Sequence, residues 1–98
     1  MNTKIYSMLG LARKAGMVFS GDSQVEALLK KKKGNLLIIA EDATGIITKY
    51  DKWAEDLGIE VMICGTKYDL GLAIGMSPRA VVLVMDKGFA DAIVKIRR

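Results

Sequence analysis

Three short, largely apolar runs, each separated from the next by a segment of helical period, constrain this chain more than any other feature. They cover residues 36–40, 59–64 and 80–85. A run with almost no polar alternation has no face to offer water, so it fits a strand covered on both sides. Between the runs the apolar residues recur every three or four positions. Ile5, Met8, Leu9 and Ala12 form the first stripe, and Val25, Leu28 and Leu29 the second. Ile46, Tyr50, Trp53, Ala54 and Leu57 form the third; Leu70, Ala73 and Ile74 the fourth; Phe89, Ala92, Ile93 and Ile96 the last. Met17-Val18-Phe19 reads as a further, brief strand. The order is therefore α-β-α-β-α-β-α-β-α. Strands buried on both faces need helices on both faces. The expected fold is α/β, a three-layer α/β/α sandwich around a small mixed sheet of about four strands. Residues 1–98 are expected to form one domain.

Local signals punctuate this pattern. The first helix is expected over residues 3–14, with Gly16 as its C-cap. Ser20-Gly21-Asp22-Ser23 offers Asp22 or Ser23 as N-cap of the second helix. That helix runs into Lys30-Lys31-Lys32-Lys33, where cations suit the negative end of the dipole, and Gly34 stops it. Gly58 closes the third helix, Thr66 and Asp69 form a capping box for the fourth, and Asp86 caps the last.

Composition removes most catalytic chemistry. The chain has no histidine, which excludes Ser-His-Asp, Cys-His and His-ligated metal sites. One cysteine permits no intrachain disulfide and points to a reducing compartment. No apolar run approaches the roughly 20 residues that span a bilayer, and the N-terminal segment lacks the continuous apolar stretch of a secretory signal. A cytoplasmic location with no membrane partner is expected. The net charge is +4, and it is uneven. Residues 1–49 hold eight basic and four acidic side chains; residues 50–98 hold seven of each. An excess confined to one half suggests a polyanionic partner, with a merely solvated surface as the alternative.

The candidate chemical motifs mostly have simpler explanations. No complete phosphate-loop or dinucleotide fingerprint occurs; Gly65-Thr66-Lys67 is a fragment of one. Glu41 and Asp42 follow the second strand, where a carboxylate pair can hold a divalent cation or move protons. With no second acidic cluster, the preferred reading is that Asp42 caps the following helix and Glu41 is solvated. Cys64 has no base to activate it and reads as core. Tyr50 and Trp53 can stack bases, but both lie on an apolar stripe and read as core too. No cofactor, metal or small-molecule substrate is expected.

Three features suit nucleic acid. The four lysines are either phosphate contacts or a solvated cap. A helix N-terminus near residue 22 presents free amides to an anion, and Ser23 and Gln24 add side chains able to read base edges. Gly75-Met76-Ser77-Pro78-Arg79 is a stiff loop that sets an apolar residue beside a cation, a pairing suited to an unstacked base and its phosphate.

Three stretches in this order resemble a known family. They are Ser20-Gly21-x-x-Gln24 before a basic helix, Leu37-Ile38-Ile39-Ala40-Glu41-Asp42-Ala43, and Lys67-Tyr68-Asp69-Leu70-Gly71-x-Ala73-Ile74-Gly75. The chain resembles the ribosomal protein superfamily that binds kink-turn RNA (L-seven-Ae and L-thirty-e type). Leu9-Gly10-Leu11-Ala12-Arg13-Lys14-Ala15-Gly16 and Asp86-x-Gly88-Phe89-Ala90 resemble its small bacterial YlxQ-type branch. The resemblance covers nearly the whole chain.

It implies an α/β/α sandwich that binds structured RNA, ribosomal or kink-turn-like, without catalysis. The implied RNA face is the start of the second helix, the loop after the second strand, and the loop before the last strand. Gly21 matches the glycine whose backbone approaches RNA. Ser23 and Gln24 occupy an Asn-Glu pair that reads sheared G·A pairs. Lys67 matches a basic residue beside a flipped-out nucleotide, and residues 76–81 match an apolar loop over unpaired bases. Ala27 stands where many members have a guanine-contacting lysine, and Thr44 replaces a residue acidic in some relatives.

The expected contacts follow. The amides of Gly21, Asp22 and Ser23 receive the RNA backbone, while Ser23 and Gln24 read edges. Lys67, Arg79 and Lys30, Lys31, Lys32 and Lys33 neutralise phosphates. Met76 and Val81 pack on an extruded base, with Ser77 beside them and Ala27 and Thr44 at the margins. The protein is expected to act as a monomer. The alternative is a protein-interaction module of the translation machinery whose altered reader positions have lost RNA recognition.

Overall fold

The computed structural model describes residues 3–97. Helix α1 spans Thr3–Lys14, strand β1 Val18–Ser20, α2 Asp22–Lys30 and β2 Leu36–Ile39. Then come α3 Thr44–Leu57, β3 Glu60–Ile63, α4 Lys67–Ala73, β4 Val81–Val84 and α5 Lys87–Arg97. The nine elements appear in the expected order. The four strands form one mixed sheet in the order β1-β4-β2-β3. β2 and β3 run parallel, while β4 is antiparallel to both β1 and β2.

The continuous apolar runs explain the sheet's centre. Every residue of β2 and of β4 is fully buried, because both strands are inner and both faces are covered. α1 packs with α4 and α5, and α2 with α3 is bonded across Asp22, Lys49 and Tyr50. Two helical layers thus enclose the sheet. Ile5, Leu9, Leu29, Tyr50, Leu70 and Ile93 project from all five helices into one core.

Strand β3 departs from the expectation. It lies at the sheet edge, and Glu60 and Ile63 are exposed. Its Glu60 was the one polar interruption in the run, and it faces water. Val81 departs as well. It is wholly buried in the inner strand β4, so its side chain belongs to the core rather than to a surface over bases.

Three terminal signals act differently from the expectation. Neither Asp22 nor Ser23 caps α2; Gly21 is the N-cap, with φ of 92°, and no side chain caps that end. Asp42 does not cap α3, whose N-cap is Ala43; its Oδ1 instead accepts the amide of Lys67 at 3.0 Å. The second helix ends at Lys30 rather than at Gly34, and Lys32 takes a left-handed φ of 59°. Gly34 follows with φ of 117°, pressed against Leu83, where a Cβ would lie 2.6 Å from that side chain. Elsewhere the signals hold. Gly58 closes α3 in the left-handed region, Thr66 Oγ1 accepts the Asp69 amide at 3.1 Å, and Asp86 accepts the Phe89 amide at 2.9 Å.

Candidate nucleic-acid interface

The register of the sheet brings distant segments to one end. Ser20 pairs with Val82, and Ile39 pairs with both Val81 and Ile63. The C-terminal ends of β1, β2 and β3 therefore meet the N-terminal end of β4. Four connections emerge there: residues 20–22, 40–43, 64–66 and 74–80.

Hydrogen bonds stitch them together. The Gly21 amide donates to the Val81 carbonyl at 3.2 Å, and Ala40 to Ala80 at 2.9 Å. Glu41 donates to Gly65 at 2.8 Å, and Arg79 to Lys67 at 3.0 Å. Arg79 Nε donates to Ser20 Oγ at 3.1 Å. Its Nη1 donates to Ser77 Oγ at 2.7 Å and to the Ser77 and Pro78 carbonyls. Arg79 thus holds the last loop against the start of α2. It is a brace before it is a phosphate cation.

At this end, α2 opens outward. Asp22, Ser23 and Gln24 are exposed, and Ala27 is exposed one turn further along the helix. The amides of residues 22–24 occupy the helical turn that has no intrahelical acceptors. The Gly21 amide is already committed to Val81, so the amides left open at this end are those of Asp22, Ser23 and Gln24. Gly21 has a positive φ and no heavy atom within 4 Å of where a Cβ would stand. A backbone of another molecule can approach that open face closely.

The remaining expected residues divide by position. Thr44, at the start of α3, and Lys67, at the start of α4, are exposed at the same end. Met76 is 42% exposed and Ser77 is exposed beside it. Lys30, Lys31, Lys32 and Lys33 are exposed too, but they lie at the opposite end of α2, beside the start of β2. Tyr50 and Cys64 are buried. Trp53 is partly buried and stacks on Tyr50, with ring centroids 6.0 Å apart.

Three partnerships had no local signal. Ser20 is bonded by an arginine 59 residues away. Asp42 is bound by the amide of Lys67, across to another helix. Lys49 is bonded to Asp22 and Glu26 across two helices. Each depends on the sheet register, which a single segment does not reveal. Two exposed apolar side chains also border the loops: Tyr68 and Leu72, one turn apart on α4.

Residues 3–94 match the model of the ribosomal protein L7Ae/L30e/S12e/Gadd45 family. The chain belongs to that family. Among its relatives is the RNA-binding protein YlxQ of Bacillus subtilis, 30% identical over 93 residues, covering 93% of this chain and 92% of that protein. A protein of unknown function from Bacillus halodurans superimposes with a TM-score of 0.91 at 30% identity, covering 97% of each chain. The 15.5kD RNA-binding protein of Giardia lamblia shares the fold. Its TM-score is 0.80 at 21% identity, covering 98% of this chain and 87% of that one. The family match spans α1, all four strands and most of α5, so it includes all four connections at the loop end.

Proposed function

We propose that this family member is a noncatalytic, monomeric RNA-binding protein of the cytoplasmic translation machinery, recognising structured RNA of kink-turn type through the loop end of its sheet. The observation that carries this reading is the placement of the open start of α2 beside the three other loops, with Gly21 clear of neighbours. The names of the Bacillus subtilis and Giardia relatives support RNA as the partner class.

In this reading, the amides of residues 22–24 take a phosphate on the positive end of the helix dipole. Ser23 and Gln24 project from the same turn and read base edges, for which an amide side chain offers both donor and acceptor. Lys67 meets backbone charge. Met76 and Ser77 cover an unpaired base, and Arg79 holds their loop in place. Ala27 and Thr44 flank the contact. The four lysines meet flanking backbone, because α2 is about 13 Å long and separates them from the reading turn.

The test is a titration of one kink-turn RNA against a straight duplex of equal length, at two salt concentrations. Preference for the kink-turn supports recognition, and the salt slope counts phosphate contacts. Equal affinity for both leaves a general RNA binder.

A second reading, a protein-interaction module, is favoured by Tyr68 and Leu72, exposed by 65% and 64% on one face of α4. It expects no binding to either RNA in the same titration.

A further inference from the structure

The reading turn of α2 carries a carboxylate where a polyanion is to dock, and the fold turns that carboxylate aside. Asp22 is the first residue of the helix, directly after Gly21, yet α2 receives no side-chain cap. Its oxygens instead meet α3. Lys49 Nζ lies 3.0 Å from Oδ1 and 2.9 Å from Oδ2, and the Tyr50 hydroxyl donates to Oδ1. Lys49 also donates to Glu26 Oε2 at 2.5 Å. One lysine is thus shared by two carboxylates and is not a loose cation. The Tyr50 ring is wholly buried, and among the described residues its hydroxyl bonds to Asp22, at the carboxylate and, at 3.3 Å, the carbonyl.

The Tyr50 hydrogen bond, and then Lys49, hold the Asp22 carboxyl below its ordinary range. The charge is therefore present wherever RNA binding is measured. Loose on its side chain, it would sit next to Ser23 and the open amides. There a carboxylate competes with phosphate for the same donors and repels it.

We propose that Tyr50 and Lys49 are positioning residues for RNA recognition: they tether the Asp22 carboxylate to α3 and keep it off the RNA-facing turn, without touching RNA themselves. This rests on the RNA-binding reading above. It also gives α3, whose start alone was placed at the interface, a role through its interior.

Tyr50→Phe is a clean probe. The ring remains in the core, and the lost partner, Asp22, is half-exposed, so no buried group is left unsatisfied. The experiment titrates kink-turn RNA against wild type, Y50F, D22N and the double variant Y50F/D22N, with thermal melts of each. Y50F is expected to weaken binding about two- to fivefold, the scale of one charge at a helix end. In the D22N background the same Tyr50 substitution should cost nothing, because no carboxylate remains to be released. K49M should follow Y50F and be rescued by D22N likewise. Equal losses in both backgrounds would mean that Tyr50 acts by placing α2, and would overturn the proposal. So would unchanged binding by Y50F. If wild type binds neither kink-turn nor duplex RNA, the reading beneath the proposal fails, and the proposal with it.

Discussion

A methyl group on Gly71 of α4 would stand 2.2 Å from the carbonyl oxygen of Ser77 and 2.9 Å from the Cα of Pro78. The contact is backbone on backbone, so neither side can yield by changing a rotamer. The Gly71 carbonyl in turn accepts the Met76 amide at 2.8 Å. The loop over the interface is therefore seated directly on one turn of helix, and only glycine permits it.

Gly71→Ala should accordingly displace the loop of residues 74–80 and destabilise the protein by about 1–3 kcal/mol, the cost of overpacking. Kink-turn affinity should fall with it, because Met76 and Ser77 move. Gly45 supplies the control. It lies in α3 with open space where a Cβ would stand. Gly45→Ala should stabilise by about 0.5–1 kcal/mol through helix propensity. Urea denaturation of both variants checks the contrast; equal effects would show that the contact at Gly71 is slack.

Asp42→Ala should loosen the junction between two loops. The carboxylate accepts the Lys67 amide at the first residue of α4, where an anion also suits the dipole. Its removal should cost about 0.5–1.5 kcal/mol and speed hydrogen exchange at the Lys67 amide. Unaltered exchange there would mean that the bond contributes nothing to holding α4.

Most of the architecture was legible because it depends on burial. Leu36 to Ile39 and Val81 to Val84 are apolar at every position, and inner strands are covered on both faces. The run at residues 59–64 reads as buried like the others in spite of Glu60, and the structure places that strand at the edge with Glu60 in water. The exposed start of α2 was legible as well, since Gly21 through Gln24 lie together in the chain. Polar partnerships were not. Arg79 reaches Ser20, and Lys49 with Tyr50 reaches Asp22, only once the strands have paired and the helices have docked. Val81 was misplaced for a different reason: the resemblance grouped it with the loop of residues 76–81, whereas the apolar run 80–85 already made it strand, and its register in β4 makes it core.

The tether between Asp22 and Tyr50 has a pH signature. The lowered carboxyl means that the folded chain binds this proton less tightly than the unfolded chain, whose ordinary value is 3.8. Its contribution to stability is fully present above that value and is lost as pH falls through the lowered one. The stability difference between wild type and Y50F should therefore be constant from about pH 5 to about pH 9, below the range where an unfolded tyrosine ionises, and shrink below about pH 4. Denaturant melts across that range test it. A difference independent of pH would show that the hydroxyl is not coupled to the ionised carboxylate.

Neutralising Lys30, Lys31, Lys32 and Lys33 together should weaken kink-turn and straight-duplex binding alike and flatten the salt dependence. The run lies at the end of α2 remote from Ser23 and Gln24, so in the proposed reading only flanking backbone charge is within its reach. Glu26 is shared between Lys30, at 3.9 Å, and the much closer Lys49, so Lys30 is only weakly engaged. An unchanged salt slope would make the four lysines a solvated helix end.

Discrimination between RNAs should instead depend on Gln24, which is exposed on the reading turn and takes no part in the ties to α3. Gln24→Ala would leave a base edge without its partner, a loss of about 1–3 kcal/mol, or roughly five- to a hundredfold in affinity. The loss should fall on the kink-turn RNA and be slight on the duplex. Stability should hardly change, since the side chain supports nothing within the fold. Ala27 tests the same face from the other direction. It is exposed three residues along from Gln24, so the two share one side of α2. Ala27→Lys adds a cation there without displacing any core atom and should tighten kink-turn binding more than duplex binding. Equal changes on both RNAs in either variant would mean that α2 supplies charge but does not read a base.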